Sequence, residues 1–248
     1  MRTMRIIIAT LVVAILGTGV LSAQNGAGAS EILTTTEITV KQGHNSQFIE
    51  GVKKWKECYL KNNGEEKWSM WSRQQGEGQV YIMAGTISTW GEMENKKDVD
   101  NECYIALLNH ILPHIEKVNS RVASTMPEVS RSTPEDTKYI WVTYYNVRKE
   151  HTFKEVIREV TNAIKDKEGS PRGLWYNFQL GAPDTPNFMV VEPYKGYADI
   201  DIKRDSPAKI YTDAVGEEKA QELWDVWFDT LEERWAYIYK LNPEMSSY

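Results

Sequence analysis

The chain of 248 residues contains one unit twice, and that repetition restricts its possible folds more than any single motif does. Placing residues 47–60 over 152–165, an offset of 105, sets Phe48 on Phe153, Val52 on Ile157, Trp55 on Val160 and Cys58 on Ala163. At an offset of 107, residues 67–73 fall on 174–180, pairing Trp68 with Trp175 and Trp71 with Phe178. The same offset sets Tyr81, Ile82, Met83 and Ala84 on Phe188, Met189, Val190 and Val191. At 116, Leu107, Leu108, Ile111, Leu112 and Ile115 meet Leu223, Trp224, Trp227, Phe228 and Leu231. Both copies close alike, on Pro127-Glu128-Val129-Ser130 and Pro243-Glu244-Met245-Ser246. An offset that only rises is what loop insertions produce in a tandem duplication.

Each copy reads as strand, helix, strand, strand, long helix, short strand. In the second copy, residues 138–147 are β-branched and aromatic, as a strand requires. A helix over 153–165 is stopped by Gly169-Ser170-Pro171. Strands follow at 174–180 and 188–191, then a long helix at 217–234 and a closing strand at 235–241. The first copy runs 38–40, 47–61, 67–73, 79–84, 102–118 and 121–126 in the same order. Residues 131–137, rich in Ser, Thr and Pro, form the linker, so the units are 31–130 and 138–248.

A βαββαβ order is the ferredoxin-like split motif, an α+β unit with both helices on one face of an antiparallel sheet. Such a sheet should be wet on its other face. Here Tyr139, Trp141 and Tyr145 lie on one face and Ile140, Val142 and Tyr144 on the other, so both faces are apolar. The sheet of the other copy, packed face to face, supplies the missing cover. On its element order, its repeat and the terminal Pro-Glu-[Val/Met]-Ser signature, the chain resembles the dimeric α/β-barrel superfamily of ferredoxin-like proteins. It would be a tandem-duplicated member, a monomer with an internal pseudo-dimer. The resemblance covers residues 31–248 and brings no catalytic motif. It implies a barrel of a kind that elsewhere runs cofactor-free oxygenation, haem chemistry or lyase reactions.

The first 23 residues read as an export signal: Arg2 and Arg5, an apolar run from 6 to 16, then small residues up to Ala23. A cut after Ala23 is expected, with Ala29 as the fallback, leaving a Gly/Ala-rich tail over 24–30 and a periplasmic or secreted protein. No later segment is long and apolar enough to span a membrane. Without Arg2 and Arg5 the chain carries 27 basic and 35 acidic residues. That balance lacks the basic footprint nucleic-acid binding requires.

No phosphate loop, nucleophile elbow, Cys-x-x-Cys pair or EF-hand loop is present, and no cofactor is implied by a motif. The acidic stretch 92–100, broken by Lys96 and Lys97, reads as a solvated segment. His110 and His114 have the i, i+4 spacing of a two-ligand metal site, but Pro113 intervenes and the second copy carries Val226 and Thr230. Two surface histidines are the simpler reading. His44, in the turn before the first helix, could serve as a base or shape the turn, and His151 is its nearest counterpart.

Nine Trp and thirteen Tyr are many for a chain of this size, and their mostly core-periodic positions make core filling the first reading. Large rings with polar tips also line sites for flat ligands. Trp71, Tyr144, Tyr145, Trp175 and Asn177, with His44, are the expected lining of a site for a small apolar or aromatic ligand in or beside the barrel. Trp175 is expected to face the other sheet together with Asn177, leaving Leu174, Tyr176 and Phe178 toward the helices. A barrel enzyme would instead need an ionisable group in the cavity, and His44, Arg73, Glu192 and His114 are the options. A solidly packed barrel acting through its surface is the third reading. Cys58 and Cys103 would ordinarily pair in an oxidising compartment. Two parallel helices would hold them ~15 Å apart, so pairing needs residues 91–101 to fold back.

Overall fold

The computed structural model describes residues 30–94 and 98–248. The expected export signal, most of the tail and the centre of the acidic stretch lie outside the described residues. The first half contributes β1 (Ile32–Val40), α1 (Asn45–Lys61), β2 (Ser69–Arg73), β3 (Gln79–Ile87), α2 (Asp98–His110) and β4 (Ile115–Thr125). The second contributes β5 (Tyr139–Val147), α3 (Glu150–Glu168), β6 (Leu174–Leu180), β7 (Phe188–Tyr194), α4 (Tyr197–Ile200), α5 (Pro207–Val215), α6 (Glu217–Thr230) and β8 (Leu231–Leu241).

All eight strands close one antiparallel barrel in the order β1-β3-β2-β8-β5-β7-β6-β4. Within the first half β1 and β3 are the central strands, and within the second β5 and β7 are. The halves are also hydrogen-bonded edge to edge. One seam joins β2 to β8 (Trp71 opposite Leu241, Arg73 opposite Tyr239), and the other joins β4 to β6 (Thr125 opposite Tyr176). Closure removes the free edges that two separate sheets would leave exposed. Outside the barrel, α1 buries Phe48, Val52 and Tyr59 and α3 buries Phe153, Val156, Ile157 and Ile164 against their own sheets.

The structure corrects several expectations. Both long helices end early: α2 stops at His110 and α6 at Thr230. Residues 115–118 and 231–234 are strand, because β4 and β8 must run the full length of β1 and β5 to pair with them. The repeat offset at β2 and β6 is 105, since Met70 lies opposite Met83 as Trp175 lies opposite Val190. Trp175 therefore corresponds to Met70, Trp71 to Tyr176, and Trp68 to Gly173. The later rise to 116 accommodates α4 and α5.

The two cysteines are bridged, with Cα atoms 5.8 Å apart. The β2–β3 hairpin reverses the chain between the two helices, so α2 runs antiparallel to α1. Cys103 at its start meets Cys58 near the end of α1, while His110 at its end meets Gly51 near the beginning. A Cβ on Gly51 would lie 1.8 Å from the His110 carbonyl oxygen, so only glycine permits this approach.

Candidate ligand-binding site

Alternation along the strands sends one set of side chains into the barrel and the other toward the helices. On β6, Leu174, Tyr176 and Phe178 point inward and cluster with Val142, Tyr144 and Tyr239. Trp175 packs outward with Tyr145, Phe153 and Phe188. The expected facing of β6 is thus reversed. The closed barrel has no wet rim along its wall and takes the wholly apolar trio. The helix-side face continues past α3 into solvent at the end of β6, where Gln179 is exposed and Asn177 bonds to it.

The six side chains singled out for a ligand are consequently split. Trp71 and Tyr144 face the interior, whereas Tyr145 and Trp175 face a cavity beside the barrel. Asn177 lines neither. His44 lies at the start of α1, where its Nδ1 is 2.8 Å from Nδ1 of His114. His114 follows the end of α2 and turns to His44, so the i, i+4 pairing of His110 with His114 does not form. Among the described residues no group of three or more His, Cys, Asp or Glu could hold a metal ion. His151 sits on the first turn of α3 beside Glu155.

The cavity beside the barrel, about 600 Å³, lies between the outer face of the second sheet and α3, α5 and α6. Its walls are Trp141, Tyr145, Trp175, Tyr194, Trp224 and Trp227, with Val156, Ile157, Val160 and Ile164 from α3. The two halves differ beside this space. Gly173 lines it, and the corresponding first-half residue is Trp68, whose ring fills the equivalent position against Trp55, Tyr59 and the disulfide. The α4–α5 segment, present only in the second half, covers the cavity with Ile200, Ile202 and Pro207. It is pinned by Tyr211, which donates to Glu159 of α3 at 2.6 Å, and by Arg172, which donates to the Asp205 carbonyl at 2.8 Å.

Glu192 on β7 projects into this aromatic chamber and makes no hydrogen bond or ion pair among the described residues. Burial drives its pKa upward, against the pull of Arg172, Arg204 and Arg234, which surround the cavity. Arg172 is itself committed to Glu168, 2.9 Å from Nε. Tyr145, stacked on Trp175 at 5.7 Å between ring centres, is pushed up to about 12 by burial and stays protonated. Such a chamber offers flat apolar walls, one proton-hungry carboxyl and nearby positive charge. A haem does not fit the donor set: no His, Cys or Met lines the cavity, and burial disfavours the Tyr145 phenolate. Of the residues considered for catalysis from sequence, only Glu192 lines it. The glycine opposite Trp68 was hidden by the two-residue error in the β6 offset.

No protein-family model matches the sequence, and no curated protein matches it. Solved structures do match. A candidate monooxygenase from Lactobacillus acidophilus NCFM superposes with a TM-score of 0.51 at 13% identity, covering 88% of this chain and 98% of its own. A candidate monooxygenase from Fusobacterium nucleatum gives 0.51 at 13% identity, over 86% and 93%. An anthrone oxidase-like protein gives 0.50 at 8%, over 86% and 92%. At these identities the likeness speaks for the fold. The chain therefore has the fold of the dimeric α/β barrels, with both halves of the barrel supplied by one polypeptide.

Proposed function

We propose that this protein binds a small, flat, largely aromatic molecule in the cavity between β5–β7 and α3, with the ligand's polar edge against Glu192. The observation that carries the reading is the Glu192 carboxyl, unbonded in a chamber walled by Trp141, Tyr145, Trp175 and Trp227. A carboxyl placed among rings is costly unless a ligand or a proton satisfies it. Native mass spectrometry of protein from its own host tests the proposal, together with tryptophan quenching by flat phenols and aromatic acids. Val160→Trp, which fills the cavity from α3, should abolish both signals. Absence of any retained mass, with no quenching up to ligand solubility, would refute it.

The same carboxyl supports an enzymatic second reading. A raised proton affinity suits Glu192 to take a proton from a bound C–H or O–H acid and return it. Glu192→Gln should then still bind the ligand but lose hydrogen–deuterium exchange on it. Equal exchange in both proteins would leave binding alone as the function.

Export belongs to the proposal as well. Arg2, Arg5, the apolar run 6–16 and the Cys58–Cys103 bridge all support an oxidising compartment. N-terminal sequencing of the host's protein should begin at Gln24.

A further inference from the structure

The barrel interior holds a second cavity of about 320 Å³, separate from the one behind α3. Strand registers place its mouth. The starts of β1, β2, β5 and β6 and the ends of β3, β4, β7 and β8 all lie at one end of the barrel. There the lining comes from Lys67, Thr86, Thr133, Thr137 and Ser247. Below the mouth the walls are apolar, including Leu33, Ile82, Ile140, Leu174, Phe178 and Val191.

This space follows from divergence between the halves. Pairing β1 with β5, β3 with β7 and β4 with β8 makes Thr35 the counterpart of Val142, Ala84 of Val191 and Ala123 of Tyr239. At Ala84 and Ala123 the first sheet offers a small side chain where the second offers a large one. Packing elsewhere in the core is tight, with Phe48, Phe153 and Phe188 almost fully buried.

The deeper wall is polar and rich in donors. Arg121, 9% exposed, donates from Nη1 to Glu37 at 3.1 Å. Its Nε is buried and makes no hydrogen bond among the described residues. The hydroxyls of Tyr144 and Tyr239 lie 3.3 Å apart, so one donates to the other and the pair has a proton to spare. Burial raises both phenols, Tyr144 to about 12, so neither ionises at neutral pH. Glu37 already balances Arg121, and a ligand carboxylate would meet that second negative charge. A neutral acceptor avoids that repulsion and still meets the donors.

We infer that the barrel interior is a second binding site, taking a neutral apolar molecule that carries a carbonyl oxygen and enters carbonyl first toward Arg121 Nε and the Tyr144–Tyr239 hydroxyls. The site is independent of the cavity behind α3, and its test separates the two. The probe is an acylnaphthalene ketone whose emission shifts to the blue in apolar surroundings, titrated against the full chain. Ala84→Leu projects into the interior and should weaken binding about tenfold, while Val160→Trp should leave it unchanged. Tyr144→Phe, which keeps the volume, should weaken the ketone but not the matching alkylnaphthalene. Should Ala84→Leu fail to fold, the Tyr144→Phe comparison decides alone. Binding lost in Val160→Trp but kept in Ala84→Leu would overturn the inference, as would no binding or equal response of ketone and hydrocarbon to Tyr144→Phe.

Discussion

Ser130 and Ser246 hold matching positions in opposite seams of the barrel. Ser130 Oγ accepts from the Trp175 backbone N–H at 2.8 Å, and Ser246 Oγ accepts from the Met70 backbone N–H at 2.9 Å. Each hydroxyl also donates within its own turn, to the Met126 carbonyl at 2.7 Å and the Asn242 carbonyl at 2.8 Å. The repeated Pro-Glu-[Val/Met]-Ser signature is therefore a clasp, in which the end of each half satisfies a strand of the other. Leaving such an N–H unpaired costs about 1–3 kcal/mol. Ser130→Ala and Ser246→Ala should each lower stability by that amount in urea melts, and nearly additively, because the sites are distant. Neutral single variants would show that the clasp is ornamental.

The seams predict how separated halves behave. Residues 31–130 alone would leave the outer edges of β2 and β4 unpaired and the inner sheet face uncovered. That fragment, and 138–248 likewise, should self-associate or aggregate in analytical ultracentrifugation. A monomeric half with cooperative unfolding would argue against the barrel.

Reduction should loosen the first half. The Cys58–Cys103 bridge closes 45 residues of chain, and removing a bridge of that kind costs about 2–5 kcal/mol. A thiol reductant should lower the melting temperature of the wild type but not of Cys58→Ser/Cys103→Ser. Equal responses would mean the cysteines are unpaired in solution.

The half-buried carboxyl gives a signed pH effect. With its pKa raised in the folded state, Glu192 binds its proton more tightly folded than unfolded. Its contribution to stability is greatest below the ordinary carboxylate range and falls as pH climbs through the raised value. Glu192→Gln should gain on the wild type as melts move from about pH 4 to about pH 8. A constant difference would place Glu192 in water.

Trp175 carries packing as well as a cavity wall. It stacks on Tyr145 and meets Phe153 edge-on at 6.1 Å. Trp175→Ala should cost about 3–5 kcal/mol, as large aromatic truncations do. A denaturation midpoint near the wild type would remove it from the core.

How far the sequence could be read depends on which physical signal each element leaves. β6 begins and ends where expected, at Leu174 and Leu180, because turn residues bound it on both sides. The facing of its side chains was not legible. With apolar groups on both faces, alternation says that two covers exist but not which is which. The ends of α2 and α6 were hidden because Ile111, Ile115, Trp227 and Leu231 continue a helical spacing into residues that strand pairing claims. The helix pair was misjudged by direction, and the bridge between Cys58 and Cys103 followed from that alone. Glu192 was legible as an ionisable residue on an apolar strand. The chamber around it is assembled from β5, β7, α3 and the segment 199–208, which only the folded chain brings together.

The single polypeptide has a consequence for how such a barrel changes over time. In a two-chain barrel every substitution is written twice, and any alteration to one pocket is imposed on its twin. Here one half carries Trp68 where the other carries Gly173, and a disulfide staples one helix pair while α4 and α5 roof the cavity of the other. One half is free to be scaffold while the other experiments.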